Sequence, residues 1–426
     1  MAEQPKYDVK TFPKCSTELP ICTLGEVRMA GVVSYVKRSS VSHLLLAITF
    51  FVSGLIINLT QALLYCGLRP FSKYLYRKIN YYVCYSLYCQ LVFMAEWWAS
   101  TDLIIYIDRE DLERYYGKEH GFLVMNHRYE VDWLMGWVLC DRVNILGNCK
   151  TFAKKSIQYV PTMGWAWMFA ESIFLERNWE KDKQTIGRQI KELVDHPDPI
   201  WLLLMAEGTR FTTEKHEASK NFAKEKGLPI LKHHLTPRTK GFTTSLPYLH
   251  GKFGAIYDVQ LSFKKDEKPT MTDLLLGKSV QAHLYISRIP LDQVPVEEEA
   301  CAQWLYELYQ KKDRMSDSFF HTGDFFAESG VKRIEGYHLP RRYYSLINTV
   351  TWGFMVVVPM VYYLLRLLTS GSTIYFSVGI GIIGIFFLLL SKMIGMTKIS
   401  KASSYGKTAT TPTEMKDSSS ATKKTE

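Results

Sequence analysis

Several signatures that would assign a chemical class are missing from these 426 residues. There is no P-loop and no G-x-G-x-x-G, which argues against nucleotide-driven or dinucleotide chemistry. No G-x-S-x-G elbow occurs, so a serine hydrolase is disfavoured. The eight cysteines form no C-x2-C and no Cys/His metal spacing. Several lie in apolar context and read as free buried thiols; a bridge is conceivable only between Cys15 and Cys22. The pair His233-His234 has no acidic or cysteine partner at ligand spacing, so it reads as structural and no metal is expected. The first forty positions hold no apolar run, which excludes a signal peptide. The net charge of +10 follows the apolar segments and loops, not one stripe, so no nucleic-acid partner is indicated.

What the chain does contain is long apolar runs. Segments 43–66, 346–368 and 374–396 approach or exceed the ~20 residues needed to cross a bilayer. Basic residues flank the first on both sides, so charge asymmetry does not orient it. The match Asn58-Leu59-Thr60 to a glycosylation sequon lies inside that segment, where it would be unreachable. A Tyr- and Trp-rich stretch, 81–100, reads either as a helix at the membrane interface or as a core helix. Between the apolar runs lies a charged region of about 250 residues, the size of one large domain. The expected organisation is a flexible extension (1–40), membrane-associated helices (41–100), a catalytic domain (101–330), a transmembrane hairpin (331–397) kinked at Pro359, and a disordered tail (398–426).

Within the middle region the hydrophobic period alternates. Strands are expected at 103–107, 121–125, 172–175, 199–205, 255–263 and 280–286, with a strand or loop at 142–152. Helices are expected at 133–141, 179–194, 213–226 and 297–315, and a loop at 316–342. Alternation of this kind predicts an α/β fold: a largely parallel sheet flanked by helices.

The apolar run Phe122 to Met125 ends abruptly in Asn126-His127-Arg128-Tyr129-Glu130-Val131-Asp132. On one continuous helix, residues five apart point about 140° away from each other. His127 and Asp132 meet only if the His occupies the turn and the Asp the first helical turn. The Asp would then orient the imidazole and leave its other nitrogen to take a proton; otherwise they are a loop His and a capping Asp. Two further strands end in chemistry, in Phe174-Leu175-Glu176-Arg177 and in Glu207-Gly208-Thr209-Arg210. Parallel strands bring such ends to one edge, where ligands of open sheets bind. Arg forks suit a phosphate, and Gly208 permits close backbone approach. Lys154-Lys155 reads either as contacts for a phosphate-rich ligand or as a solvated face. Lys150, Lys232, Arg238 and Lys240 add further positive charge.

These blocks resemble the glycerolipid acyltransferases that share the NHx4D and EGTR motifs. Asn126-His127-x4-Asp132, Phe174-Leu175-Glu176-Arg177, Glu207-Gly208-Thr209-Arg210 and the proline-containing Leu235-Thr236-Pro237-Arg238 stand in that family's order. Glu96-Trp97-Trp98, Tyr159-Val160-Pro161 and Phe211-Thr212 look like the gamma/delta branch of the 1-acylglycerol-3-phosphate acyltransferases. Arg128-Tyr129 and Met205-Ala206 depart from that pattern.

The resemblance implies acyl transfer from acyl-CoA to the sn-2 hydroxyl of lysophosphatidic acid, giving phosphatidic acid without a cofactor. His127 and Asp132 would be catalytic. Asn126, Arg177, Glu207, Gly208, Thr209, Arg210, Lys154 and Lys155 would bind substrate, and backbone amides at the helix start would hold the oxyanion. Membrane lipids would be partners and the endoplasmic reticulum membrane, or the Golgi, the location. A different lysophospholipid acceptor, such as lysophosphatidylinositol, and a membrane-remodelling protein on the same fold remain alternatives.

Overall fold

The computed structural model describes residues 24–264 and 267–397. It begins with three helices, α1 (Leu24–Arg38), α2 (Ser40–Gly67) and α3 (Lys73–Phe93). Residues 24–38 are therefore helical where a flexible extension is expected; Cys15, Cys22 and the expected disordered tail lie outside the described residues. The chain then runs through β1 (Asp102–Tyr106), α4 (Arg109–Arg114), β2 (Gly121–Met125), α5 (Asp132–Arg142), β3 (Cys149–Lys154), α6 (Met163–Phe169) and β4 (Ile173–Leu175). It continues through α7 (Trp179–Leu193), β5 (Trp201–Leu204), α8 (Thr213–Glu225), α9 (Thr239–Leu249), β6 (Ala255–Phe263), α10 (Met271–Leu275), β7 (Gln281–Pro290) and α11 (Glu298–Thr322). A hairpin of α12 (Tyr344–Leu368) and α13 (Thr373–Thr397) follows.

The strands form one seven-stranded sheet in the order β1-β7-β6-β2-β5-β3-β4. Five neighbours, from β6 to β4, are parallel. Strand β7 pairs antiparallel with β6, and β1 runs with β7, so one edge is reversed. The region 142–152 resolves into a short 3₁₀ turn and β3, and β7 extends well past residue 286.

Strand β2 sits centrally, and its five residues are all buried. Phe122 and Val124 face a core formed with α7, α9 and α11, whereas Leu123 and Met125 face a core formed with α3 and α5. Burial on both faces is why β2 reads as an unbroken apolar run. Helix α11 runs seven residues past the expected end at 315. It stops at Gly323, whose φ of 78° supplies the left-handed cap that side-chain-bearing residues resist.

Helix α3 is buried on one face and exposed on the other. Tyr76, Cys84, Leu87, Tyr88 and Val92 enter the core, while Tyr74, Leu75 and Tyr82 are exposed on the far side. By length and composition α2 and α12 could each cross a membrane; the described apolar part of α13 is shorter, Thr373–Leu389. Asn58 is buried, and its side-chain amide donates to Gln61 Oε1 (3.2 Å) and to the Thr162 carbonyl (3.1 Å), inaccessible to glycosylation.

Candidate active site

Helix α5 opens at the carboxyl end of β2, so the turn between them folds the Asp back toward the His. His127 Nδ1 lies 3.0 Å from Asp132 Oδ2. The Asp132 carboxylate is fully buried and also accepts from Tyr129 N (3.2 Å) and Trp133 N (2.8 Å), so it is held from three directions. Burial disfavours charging His127, but the Asp132 charge and hydrogen bond outweigh it, holding the imidazole pKa above its ordinary value. With Nδ1–H given to Asp132, Nε2 is left to accept a proton.

The neighbouring block brackets this histidine. Glu207, just past β5, accepts from His127 N through Oε1 (2.9 Å) and from Leu235 N through Oε2 (3.1 Å). Phe211 N donates to the His127 carbonyl at 2.8 Å. Burial pushes the Glu207 carboxyl pKa up, with His234 and the two backbone amides opposing. Both its oxygens are thus occupied by protein, so Glu207 holds the His127 backbone and does not present a ligand-binding face. The residue expected to contact substrate thus lies behind the cavity wall, against the His127 backbone. Asn126 is also placed off the cavity wall: its amide donates to the Leu261 carbonyl (3.0 Å) and accepts from Leu261 N (2.8 Å), tying β2 to β6. At the start of α5, the amides of Tyr129 and Trp133 are already taken by Asp132, so they are not oxyanion donors.

His127 lines a cavity of about 1590 Å³. One arm runs along the sheet face, between Leu123, Met125, Leu203 and Val259 and the helical residues Phe50, Met94, Trp133 and Trp137. Its wall also includes Thr349 and Leu389 from the C-terminal hairpin. The other end opens at the carboxyl edge of the strands, where Lys154, Arg177, Gly208, Thr209, Arg210, Arg238 and Lys240 line it. Gly208 has φ +70°, and a Cβ there would stand 2.9 Å from Arg238 Cδ, so both backbone and packing demand glycine.

Arg210 lies 3.9 Å from Glu130 across the cavity edge. Lys215, in the first turn of α8, donates to Thr209 Oγ1 (2.8 Å) and to the Arg210 carbonyl (3.3 Å). Burial and the nearby guanidinium groups of Arg210 and Arg177 pull the Lys215 pKa down. Arg177 is exposed in left-handed backbone (φ 64°), a strained conformation that tends to occur at ligand sites. Its turn is fixed by Asp182 Oδ1 accepting from Glu176 N at 2.8 Å. Lys155 matches the solvated-face alternative: it does not line the cavity, and it pairs with Glu176. Lys150 is buried and donates to the Ala170 carbonyl at 2.5 Å.

The departures at Arg128 and Tyr129 also turn away from the cavity. Arg128 donates to the His233 carbonyl (2.9 Å) and stacks over Phe211 (4.5 Å), while Tyr129 packs edge-on against Phe263. Sequence reading missed Glu130, Phe211 and Lys215, although all three stand inside or just after the motif blocks. It also missed that His233 and His234 have acidic partners, Asp317 (2.8 Å) and Asp313 (3.0 Å), about 80 positions away. Among the described residues, no group of three or more His, Cys, Asp or Glu could hold a metal ion.

Comparison with known proteins bears on this geometry. The sequence model of the Acyltransferase family matches residues 104–242, and that of the Acyltransferase C-terminus matches residues 273–352. Human 1-acyl-sn-glycerol-3-phosphate acyltransferase gamma is 40% identical over 376 residues, 88% of this chain and 98% of that protein. The delta enzyme of Bos taurus is 40% identical over 375 residues, 88% of this chain and 97% of that one. The crystal structure of the 1-acyl-sn-glycerophosphate (LPA) acyltransferase PlsC from Thermotoga maritima overlays with a TM-score of 0.36 at 14% identity, covering 64% of this chain and 96% of that chain.

Proposed function

Since the chain belongs to the acyltransferase family that includes the 1-acyl-sn-glycerol-3-phosphate acyltransferases gamma and delta, we propose that it transfers an acyl group from acyl-CoA to the sn-2 hydroxyl of lysophosphatidic acid. The products are phosphatidic acid and free coenzyme A. The observation that carries this reading is the His127–Asp132 pair at the junction of a long apolar cavity and a cationic rim.

In the proposed reaction His127 Nε2 takes the acceptor's hydroxyl proton as the oxygen attacks the thioester carbonyl. The tetrahedral intermediate collapses with loss of the thiolate, which recovers the proton from the imidazolium. Both the new ester bond and the broken thioester bond are accounted for without a covalent enzyme intermediate. Arg210 and Arg177, with Thr209 and the backbone at Gly208, receive the acceptor phosphate, where guanidinium forks fix orientation as well as charge. Lys154, exposed on the same rim, meets the phosphates of coenzyme A. The apolar arm takes the acyl chain, with α2, α12 and α13 set in the bilayer and the cleft facing the cytosol. The reading places the protein in the endoplasmic reticulum membrane, with the Golgi as a second station.

The test incubates purified membranes with labelled oleoyl-CoA and a panel of lysophospholipids, comparing wild type with His127→Ala. Phosphatidic acid formed by the wild type alone supports the proposal. Acylation of another lysolipid keeps the base and changes the acceptor. Unchanged activity in His127→Ala overturns the mechanism, and silence from both favours membrane remodelling.

A further inference from the structure

A fully buried ammonium lies under the candidate site, and nothing in the chemistry above employs it. Lys312, on α11, has no solvent exposure. Its Nζ donates to the carbonyls of Val259 (2.7 Å) and Val124 (3.1 Å) and pairs with Asp258 Oδ1 at 2.5 Å. Asp258 is equally buried, and its other oxygen accepts from Lys311 Nζ at 2.9 Å. Burying such charges is costly, and apolar residues of similar volume often stabilise as well or better. A pure packing role therefore explains poorly why a lysine stands here. Its placement is more informative: Val124 precedes His127 by three residues on β2, and Val259 and Asp258 lie on β6, the strand to which Asn126 is tied.

The next residue on α11 reaches the same histidine by another route. Asp313 accepts from Lys232 N (2.7 Å) through Oδ2, and from His233 N (2.7 Å) and His234 Nδ1 (3.0 Å) through Oδ1. These bonds fix segment 232–235, whose Leu235 N donates to Glu207, the carboxylate that holds His127 N. Consecutive side chains of α11 thus support the His127 backbone from the strand side and from the loop side. Helix α11 lies in the stretch matched by the Acyltransferase C-terminus model, outside the one that carries the motif residues.

We infer that Lys312 and Asp313 are positioning residues that set the place of the His127 imidazole relative to the acceptor hydroxyl. This rests on the proposed role of His127 as base. Neither side chain lines the cavity, so substrate binding is spared. An imidazole displaced by a fraction of an ångström loses turnover, since misplacement near 1 Å can cost about a hundredfold.

The experiment compares Lys312→Met, the double variant Lys312→Met/Asp258→Asn, Asp313→Ala and His127→Ala in the full-length enzyme, reading kcat, KM for both substrates, the pH profile of kcat/KM and Tm. Lys312→Met alone strands a buried carboxylate and is expected to lower Tm. The double variant removes both fully buried charges and leaves the partly exposed Lys311 an amide oxygen at position 258, so part of that Tm returns, yet its kcat stays down by about tenfold or more. Its KM values stay close to wild type, and the pH profile keeps its inflection because the Asp132 contact is intact. Asp313→Ala reads the same expectation in the loop arm and decides the matter if the core variants do not fold. A double variant whose kcat returns together with Tm, or a loss lying wholly in KM, overturns the positioning role. Full activity in His127→Ala instead sinks the base assignment, a separate failure.

Discussion

Replacing Asp132 by Asn tests the centre of the mechanism, because the three bonds to its carboxylate dictate how the amide must sit. If the amide oxygen keeps His127 Nδ1 and Tyr129 N, the NH2 group faces Trp133 N, now 2.8 Å from a carboxylate oxygen. Two donors then confront each other, at a cost of about 1–3 kcal/mol. If the amide flips, its oxygen keeps Trp133 N and the donor–donor confrontation moves to Tyr129 N, whose bond is the longer one at 3.2 Å. The flipped amide is the cheaper arrangement, and it donates to Nδ1. That forces the proton onto Nε2, the nitrogen that must accept one, so the variant folds with the wrong tautomer. Expected is a fall in kcat of about 10²–10⁴, the usual range for losing a general base, with a stability loss nearer 1 kcal/mol. The pH dependence supplies a second, independent sign. Asp132 holds the His127 pKa above its ordinary value against burial, so wild-type kcat/KM should fall on the acid side at a pH above that of a free imidazole. Without the carboxylate charge, burial and the Arg210 guanidinium are opposed only by Glu207, and the inflection of any residual activity moves to lower pH. Phosphatidic acid formation, quantified by mass spectrometry from about pH 5 to about pH 9, reads both effects. A wild-type kcat, or an acid limb that stays in place, would refute the reasoning.

Glu207→Gln separates holding the histidine from holding substrate: kcat should drop about tenfold while KM for the acceptor stays near wild type, and a rise confined to KM would restore Glu207 to the phosphate site. Gly136 lines the cavity, and a Cβ there meets only Met125 Sδ, at 3.9 Å. Gly136→Leu should therefore shift selection from a mixed acyl-CoA pool toward shorter chains with little change in Tm; an unchanged product spectrum would show that the acyl chain does not pass α5. His196 is buried and its pKa is pushed down to about 2, chiefly by burial. Its folded pKa is depressed, so the stability it contributes is present above the unfolded pKa of ~6.5 and is lost as pH falls below it. The slope should approach about 1.4 kcal/mol per pH unit, and a Tm profile of His196→Gln no flatter than wild type would contradict this.

The sequence by itself determined the alternation of strands and helices, the apolar helices, and the order in which motif residues leave three strands. These are local properties: period, turn chemistry and abrupt ends of apolar runs survive in one dimension. The reversed pairing of β7 and β1 left no comparable trace, because strand direction is set by which neighbour buries which face. Helix α9, with Pro247 inside it, ran against local propensity and was won by packing of Phe242, Leu246 and Leu249. Only tertiary structure decided what the motif residues do. Glu207 and Asn126 stand beside His127 in every reading of the motifs, yet their side chains are spent on backbone amides and carbonyls. Lys155 and Lys150 read in the sequence only as positive charge, one of them a candidate phosphate contact, and the fold turns them to Glu176 and to the buried Ala170 carbonyl. Lys312 and Asp313 lie about 185 positions from His127. Pairing at that distance follows from the packing of α11 on the sheet, which no spacing in the chain encodes.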